Sequence, residues 1–527
     1  MEEGGIPMAG ITRLVALALC SSLLFVSVPP LAHSAPSTLI DAVNTPALTL
    51  DPMFSTTTIT REIAIHVFDQ LATYNENYQI VPDLATSWKV SPDGRTWTLN
   101  LARGIKFQDG ETMTSADVVA SINRYIAYGV AGAPLRAVVT SVTATDPNTV
   151  EVAFNKPYPN FLLSLAYPGT LLAIMPAKYA ASTTALNPPN LIGTGPFRIV
   201  NWVPDAYLDL QRFDGYTPPS SGAASGLAGN RAAGVANLRL QVVLVEQTRL
   251  NGVQQGTYQY AESLPYAAYA ALRNSPTVKA YVIDPYNKPV FQLNQYNAPM
   301  NNVWFRRALV ASLDMTAILT FITRNNPQFF RPDGGLFYPA QKDWYDPTSG
   351  KGIYDHRDLA LAKADLEKAG YKGETLTLVT NQDYSWMYDS ALTAVPQWKD
   401  AGINVKLTVM TWPAQIALSR QADHQGWDIN TSGYSFRFDP SFYSDNLLPG
   451  GNTIWGFNDP AIIKAMNDGI STGDVRARAK AYRIVQQRLW TEIPFILIGD
   501  TFSLDAGNGA AMNGYRAWYL PRFWLAH

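Results

Sequence analysis

The sequence predicts an α/β protein of two lobes built on mixed sheets, with an extra β-rich portion in the first lobe. Three observations carry this. The chain has 527 residues, 47% of them hydrophobic, enough apolar material for two or three cores. Hairpin and short-strand signals crowd its early part. From about residue 290 the pattern changes to strand, helix, strand with glycine stops, the signature of βαβ units.

Taken in order, residues 1–34 read as an export signal. Arg13 precedes an apolar run from 14 to 28, followed by Pro29-Pro30 and the small-residue site Ala32-His33-Ser34. Cleavage is placed after Ser34, since cutting after Ala35 would leave Pro36 beside the scissile bond. Glu2 and Glu3 are unusual in a signal, which makes Met8 an alternative start. The apolar run is shorter than the roughly 18 to 20 residues a spanning helix needs. Leu19 is too bulky for the position before a lipidated Cys20.

Trp88-Lys89-Val90 and Thr96-Trp97-Thr98-Leu99 flank Ser91-Pro92-Asp93-Gly94-Arg95, whose Pro, Asp and Gly supply the dihedrals of a short turn, so a hairpin is expected. Thr114-Ser115-Ala116-Asp117 resembles a capping box ahead of Val118, Val119, Ile122 and Ile126 at helical spacing, predicting a helix from about Ser115. Val150, Val152 and Phe154 share one face of a strand. The Pro, Ser, Gly and Ala stretch from Thr217 to Asn237 is poor in large apolar groups and reads as an exposed loop. Leu359, Ala362, Leu366 and Ala369 mark an amphipathic helix stopped at Gly370. A strand at 376–380, a helix through Trp398 ending at Gly402 and a strand at 405–409 complete a βαβ unit.

Composition excludes several function classes. Lys plus Arg number 40 against 42 Asp plus Glu, so no basic field exists to hold nucleic acid. Beyond residue 34 there is no cysteine, which removes thiol nucleophiles, zinc–thiolate sites and disulfides. His66, His356, His424 and His527 are dispersed and form no HExxH pattern. GxSxG, GxxxxGK[ST] and GxGxxG are absent as well. No metal or cofactor is expected. Paired carboxylates of the glycosidase kind leave no motif and stay open.

Four blocks carry a family resemblance. Ile80-Val81-Pro82-Asp83-Leu84-Ala85-Thr86-Ser87-Trp88, with Asp93-Gly94 and Gly104-Ile105-Lys106-Phe107-Gln108-Asp109-Gly110 up to Asp117-Val118-Val119, form the first. Gly193-Thr194-Gly195-Pro196-Phe197 with Trp202, Val303-Trp304-Phe305-Arg306-Arg307-Ala308-Leu309 and Ala364-Asp365-Leu366-Glu367-Lys368-Ala369-Gly370-Tyr371 follow in order. Together they resemble the extracellular solute-binding proteins of family 5, the dipeptide- and oligopeptide-binding proteins of ABC importers. The resemblance implies a clamp of the periplasmic-binding-protein type II kind, a Venus flytrap. Lobe I would span 35–283 with a return segment at 495–527, and lobe II 284–494. It also implies a monomer that captures a small molecule and delivers it to membrane permease subunits served by separate ATPases.

Ligands of α/β lobes sit beyond strand ends. Leu48-Thr49-Leu50-Asp51-Pro52 resembles the family's first strand and its exit, which leaves Phe54, Ser55 and Thr56 toward the cleft. Asn381, Tyr384 and Trp386 follow one predicted strand of the βαβ unit and Trp412 follows the other. The stretch Gly433-Tyr434-Ser435-Phe436-Arg437-Phe438-Asp439-Pro440 adds Tyr434, Ser435, Phe436, Arg437 and Asp439 as candidates. The resemblance implies an aspartate three residues before Asp439 in peptide-binding relatives, pairing with the ligand's α-ammonium group. Phe436 stands there instead, and an ammonium buried without a counter-charge is costly. Arg437 beside it suits a carboxylate or phosphate, or it pairs with Asp439 or another internal acid. A further departure is Gln259, where the family commonly has the aspartate of a Gly-x-x-Asp.

The expectation is therefore a secreted, periplasmic ligand-capture subunit whose ligand is peptide-like or an anionic or glycosylated non-standard solute, and not an enzyme. Two alternatives stand beside it: a secreted carbohydrate-active enzyme using a carboxylate pair such as Asp428 and Asp439, and a sensor or chaperone that engages a protein partner.

Overall fold

In the computed structural model, which describes residues 38–449 and 456–526, a twelve-stranded mixed sheet runs through the whole body. Its main path, from one edge to the other, is Asn404–Val409, Thr375–Thr380, Ile429–Ser435, Val278–Leu293, Asp500–Asn508, Tyr260–Ala261, Thr38–Val43, Asn237–Val242, Tyr207–Arg212 and Phe197–Val203. Thr38–Val43 is parallel to both of its neighbours, and Thr375–Thr380 is parallel to Asn404–Val409. The other main-path pairings, Thr375–Thr380 with Ile429–Ser435 excepted, are antiparallel. The export signal lies outside the described residues.

Two large apolar cores flank the middle of this sheet. The first gathers Leu39, Val67, Phe107, Val118, Phe197 and Leu240, and is rejoined by the C-terminal Tyr515, Trp518, Tyr519 and Phe523. The second gathers Phe291, Phe305, Leu319, Leu378, Trp398, Ile429 and Ile496. Val278–Leu293 and Asp500–Asn508 run antiparallel between them with a register shift between Ile283 and Asn287. These long crossover strands are where two lobes of one chain can hinge.

Local chemistry explains the elements. Ala85–Val90 and Thr96–Leu101 pair across the Ser91-to-Arg95 turn, with Gly94 at φ 70° and Asp93 Oδ1 accepting from Arg95 N. They join Thr149–Phe154 and Val139–Asp146 in a separate four-stranded sheet, the β-rich addition to the first lobe. Helix Ser115–Tyr128 opens on the Thr114/Asp117 capping box. Helix Leu359–Ala369 starts at Asp358, whose side chain accepts from Leu361 N, and ends at Gly370 with φ 73°. Thr375–Thr380, helix Ser385–Asp400 and Asn404–Val409 form the expected βαβ unit.

The 217–237 segment departs from its expectation. It is not a bare exposed loop: Leu227 and Arg231 are buried. Leu227 N donates to Tyr74 O, and Arg231 pairs with Asp69 and Asp83 beneath the Trp524 ring. Long-range contacts, Arg231 with two acids and Leu227 with Tyr74, thus pack a segment whose local composition gives no reason to pack.

Candidate functional site

The strand Ile429–Ser435 belongs to the second core, yet the chain leaving it enters the first. Phe436 packs against Tyr78 at 4.8 Å and Tyr519 at 5.1 Å between ring centroids, and Phe438 against Tyr74 at 4.7 Å and Trp518 at 5.7 Å. Just beyond, Phe442 stacks on Tyr167 at 3.8 Å. These contacts make an aromatic seam between the two cores, crossed by residues 436–442. Phe436 N donates to Tyr286 O on the crossover strand, and Gln341 Nε2 donates to Arg437 O at 2.9 Å, which hold the backbone of this strap.

Asp439 is spent inside the protein. Its Oδ1 accepts from Arg478 Nη2 at 2.6 Å and from Ser441 N and Oγ at 2.9 and 2.7 Å, capping the turn Pro440–Tyr443. Its ion-pair partner is therefore Arg478 and not Arg437. The Arg437 guanidinium lies 5.5 Å from the Tyr443 ring, its Nε is buried without an acceptor, and it forms no ion pair among the described residues. Burial raises the Tyr519 hydroxyl, opposed by the guanidinium groups of Arg61 and Arg437. Arg437 is thus a cation placed against tyrosine rings at the seam. Tyr434 is buried in the second core, packed edge-on against Phe495 at 5.1 Å, whereas Ser435 is exposed.

The strand exits of the βαβ unit form a second group. Asn381 is fully buried: its amide donates to Gln415 Oε1 at 2.8 Å and its Oδ1 accepts from Tyr384 N, so it fixes the loop. Tyr384 is 44% exposed and stands 5.5 Å from Trp412 and 6.3 Å from Trp386. Trp412 and Trp386 are half-buried. Trp386 reaches the strand that leads into the strap: a Cβ on Gly433 would fall 2.6 Å from its Cη2, so only glycine lets ring and strand approach so closely. The exits therefore offer three rings, and Trp386 joins them to Gly433.

In the first lobe, Phe54 ends the turn Pro52–Phe54 and covers the Arg124 guanidinium at 4.9 Å, which is itself paired with Asp51 in the interior. Ser55 Oγ and Thr57 Oγ1 share a hydrogen bond, and Thr56 O accepts from Arg61 Nη2, whose partner Nη1 donates to Tyr519 OH at 2.7 Å. Of the three, Thr56 is thereby linked through Arg61 to the seam, whereas Phe54 is engaged with Arg124 and Ser55 with Thr57. The other first-lobe departure, Gln259, accepts from Ile40 N and donates to Gly256 O, tying the chain before Tyr260–Ala261 to an interior strand of the sheet.

Sequence reasoning missed Tyr78, Trp518 and Tyr519. The signal for the last two was present: residues 515–524 carry five aromatic rings in ten positions, too many for an idle tail. Asp428, offered as half of a carboxylate pair, accepts from Thr377 N at 2.7 Å and has its pKa raised by burial. Among the described residues, Asp41, Glu62 and Glu262 are the carboxylates that bring one oxygen each within 4.8 Å of one another. No helix among the described residues is long and apolar enough to cross a membrane.

Comparison with known proteins places this geometry. The profile of the bacterial extracellular solute-binding proteins, family 5 (middle region), matches residues 79–454. A probable peptide ABC transporter periplasmic-binding protein, y4tO of Sinorhizobium fredii, is 24% identical over 513 residues, covering 94% of this chain and 96% of that one. The glutathione-binding protein GsiB of Escherichia coli K12 is 24% identical over 505 residues, 92% of each chain. Among solved structures, the periplasmic binding protein AgaA from Agrobacterium tumefaciens R10, in complex with agropinic acid, superposes with a TM-score of 0.73 at 23% identity, over 93% of this chain and 98% of that one. The chain belongs to the bacterial extracellular solute-binding proteins, family 5.

Proposed function

We propose that this chain is the substrate-capturing subunit of an ABC importer, exported to the periplasm, which encloses a small organic solute between two lobes and hands it unchanged to a membrane permease. The observation that carries it is the aromatic seam: residues of the second lobe's strand exit are seated among rings of the first, across two crossover strands that can hinge. Ligand contacts from both lobes supply the differential affinity that favours closure. Shifting such a clamp from 1:99 to 99:1 closed takes about 5.5 kcal/mol of preference. A charge pair and two or three ring stacks are of that order.

The ligand is an anionic or otherwise non-standard solute and not an ordinary free-amine peptide. Phe436 occupies the position that the family resemblance assigns to an ammonium-pairing aspartate, and it is enclosed by Tyr78, Tyr338 and Tyr519. The guanidinium of Arg437 next to it has a buried Nε without an acceptor, so a carboxylate or phosphate brought to the seam would satisfy it. Calorimetric titration with a dipeptide library and with acidic opine-like and sugar-acid conjugates tests both parts. Binding confined to anionic solutes, with compaction in small-angle scattering, is the expected result. Nanomolar binding of unmodified dipeptides would overturn the ligand class, and product formed from glycosides would favour the carbohydrate-active alternative.

A further inference from the structure

The first lobe buries a cluster of carboxyl groups that no cation of the fold pairs with among the described residues. Asp41 lies in the interior strand Thr38–Val43, between Tyr260 and Leu240 on the neighbouring strands, and is 0% exposed. Glu62 comes from helix Thr58–Val67, which covers that sheet, and is 1% exposed. Glu262 directly follows the strand Tyr260–Ala261 and is half-buried, its N–H donating to Ala42 O. Asp505, on the crossover strand Asp500–Asn508, adds a fourth carboxylate, already satisfied by Tyr260 OH and Ser263 N. Burial pushes Asp41, Glu62 and Glu262 upward, with the charge of Glu262 adding to it at Asp41 and Glu62 and that of Asp505 at Glu262.

The neighbouring cations are committed elsewhere. Arg249 donates to the carbonyls of Val243, Leu244, Glu262 and Ser263. Arg61 serves Thr56 O and Tyr519 OH through its two terminal nitrogens, its Nε being buried without an acceptor. His66 uses Nδ1 on Glu62 O and accepts Phe523 N at Nε2, so it is held neutral. Outside the cluster, no donor reaches either oxygen of the wholly buried Asp41, nor one oxygen each of Glu62 and Glu262; the three carboxyls are within hydrogen-bonding reach only of one another. Buried acceptors in this state need a proton or a cation.

We propose that Asp41, Glu62 and Glu262 are the protein ligands of a hard divalent cation of the calcium class. The donors are all oxygen, which selects against zinc, copper and nickel. A triangle of oxygens with sides of at most 4.8 Å puts its centre no farther than about 2.8 Å from each. That approaches the roughly 2.3–2.6 Å of calcium with little movement, whereas magnesium demands about 2.0–2.1 Å and octahedral order. Water completes the shell from the half-exposed side at Glu262. The ion would tie a central strand, its covering helix and the loop leading to the crossover strand into one rigid floor. It is a site separate from the solute cleft, so its presence or absence leaves the importer reading untouched.

The test is elemental analysis and thermal melting of the purified protein after chelator treatment and dialysis against calcium, magnesium or manganese. About one calcium per chain, a melting midpoint raised by a few degrees at millimolar calcium and a weaker response to magnesium are expected. Glu262→Gln should weaken calcium at least about tenfold. No bound metal with a midpoint indifferent to all three ions overturns the site, since the carboxylates then share protons instead. A calcium response unchanged in Glu62→Gln and Glu262→Gln overturns it too. Should Glu62→Gln misfold, Glu262→Gln carries the test, because its loop stays pinned by Arg249.

Discussion

The strap at 436–442 and the strand exits at 381–412 hold the same kinds of side chain and spend them in opposite ways. In the strap, Phe436 and Phe438 are 2% exposed and Asp439 is locked to Arg478, so rings and charge hold one lobe's exit strand among the other lobe's aromatics. At the strand exits Tyr384 is 44% exposed, and Trp386 and Trp412 are half-buried, while the polar residue, Asn381, does the internal bonding. The difference teaches that aromatic content alone does not mark a ligand contact. A ring at the seam is held by the protein; a ring at the open exits is available.

The comparison breaks most severely at Asp439. Removing one partner of a buried ion pair leaves the other uncompensated, a loss of about 3–5 kcal/mol. Asp439→Ala is therefore expected to lower stability by that order in denaturant titration, while Trp412→Ala, at a half-buried ring with no buried charge, costs only about 1 kcal/mol. The double replacement Asp439→Leu with Arg478→Met should recover most of the loss, because no unpaired charge then remains. Equal stabilities of Asp439→Ala and Trp412→Ala would erase the distinction.

A second measurement sharpens it through pH, because the core that receives the strap also holds a titrating group. Trp524 covers Arg231, which serves both Asp69 and Asp83. Burial, with Asp69 adding to it, pushes Asp83 up to about 8 against the pull of Arg231. The folded chain thus holds a proton that the unfolded chain releases near pH 4. This stabilisation is complete below that pH and is lost as pH rises through about 8, by on the order of 2 kcal/mol between about pH 6 and pH 8. Asp83→Asn should flatten that part of the pH profile of the melting midpoint. A wild-type profile no steeper than that of Asp83→Asn contradicts the assignment.

Legibility followed sequence distance. The capping box at Thr114, the hairpin around Gly94 and the helix stops at Gly370 and Gly402 depend on neighbours a few residues away, and each stands where the sequence predicted it. The strand exits of the βαβ unit were readable for the same reason. The seam was not, since Tyr78 and Tyr519 are brought to Phe436 from opposite ends of the chain. Nor was the packing of 217–237, which depends on Arg231 meeting Asp69 across 162 positions. Asp41 was missed because an acid in a strand of apolar neighbours shows no local pattern; its meaning arises only when Glu62 and Glu262 arrive beside it.

Arg437 stands between the two regions: fixed by its backbone to Gln341 yet with a guanidinium that forms no ion pair among the described residues. If it receives the anionic part of the solute, Arg437→Ala should weaken binding by about 10- to 100-fold, equivalent to about 1.4–2.7 kcal/mol, with stability nearly unchanged. Lysine at this position should restore only part of the affinity, because a point charge lacks the planar fork. Loss of stability comparable to that of Asp439→Ala would instead assign Arg437 to the seam itself.

The smallest effect is expected at the rings of the strand exits, and it is the most discriminating. Tyr384 and Trp412 meet edge to face at 5.5 Å, so removing one leaves the other standing with a free face. A solute ring or apolar edge stacked there gains about 0.5–1.5 kcal/mol beyond its buried area. Trp412→Ala should therefore weaken solute binding by only about three- to tenfold, and Trp412→Phe by less. The same solute should quench tryptophan fluorescence in the wild type and lose part of that quenching in Trp412→Ala. Because Trp386 lies on Gly433, Gly433→Ala should disturb the same signal by displacing the ring with no change in the solute's chemistry. Affinity and quenching that ignore both Trp412→Ala and Gly433→Ala would mean that the exits are only lobe surface, leaving recognition to the seam and to Arg437.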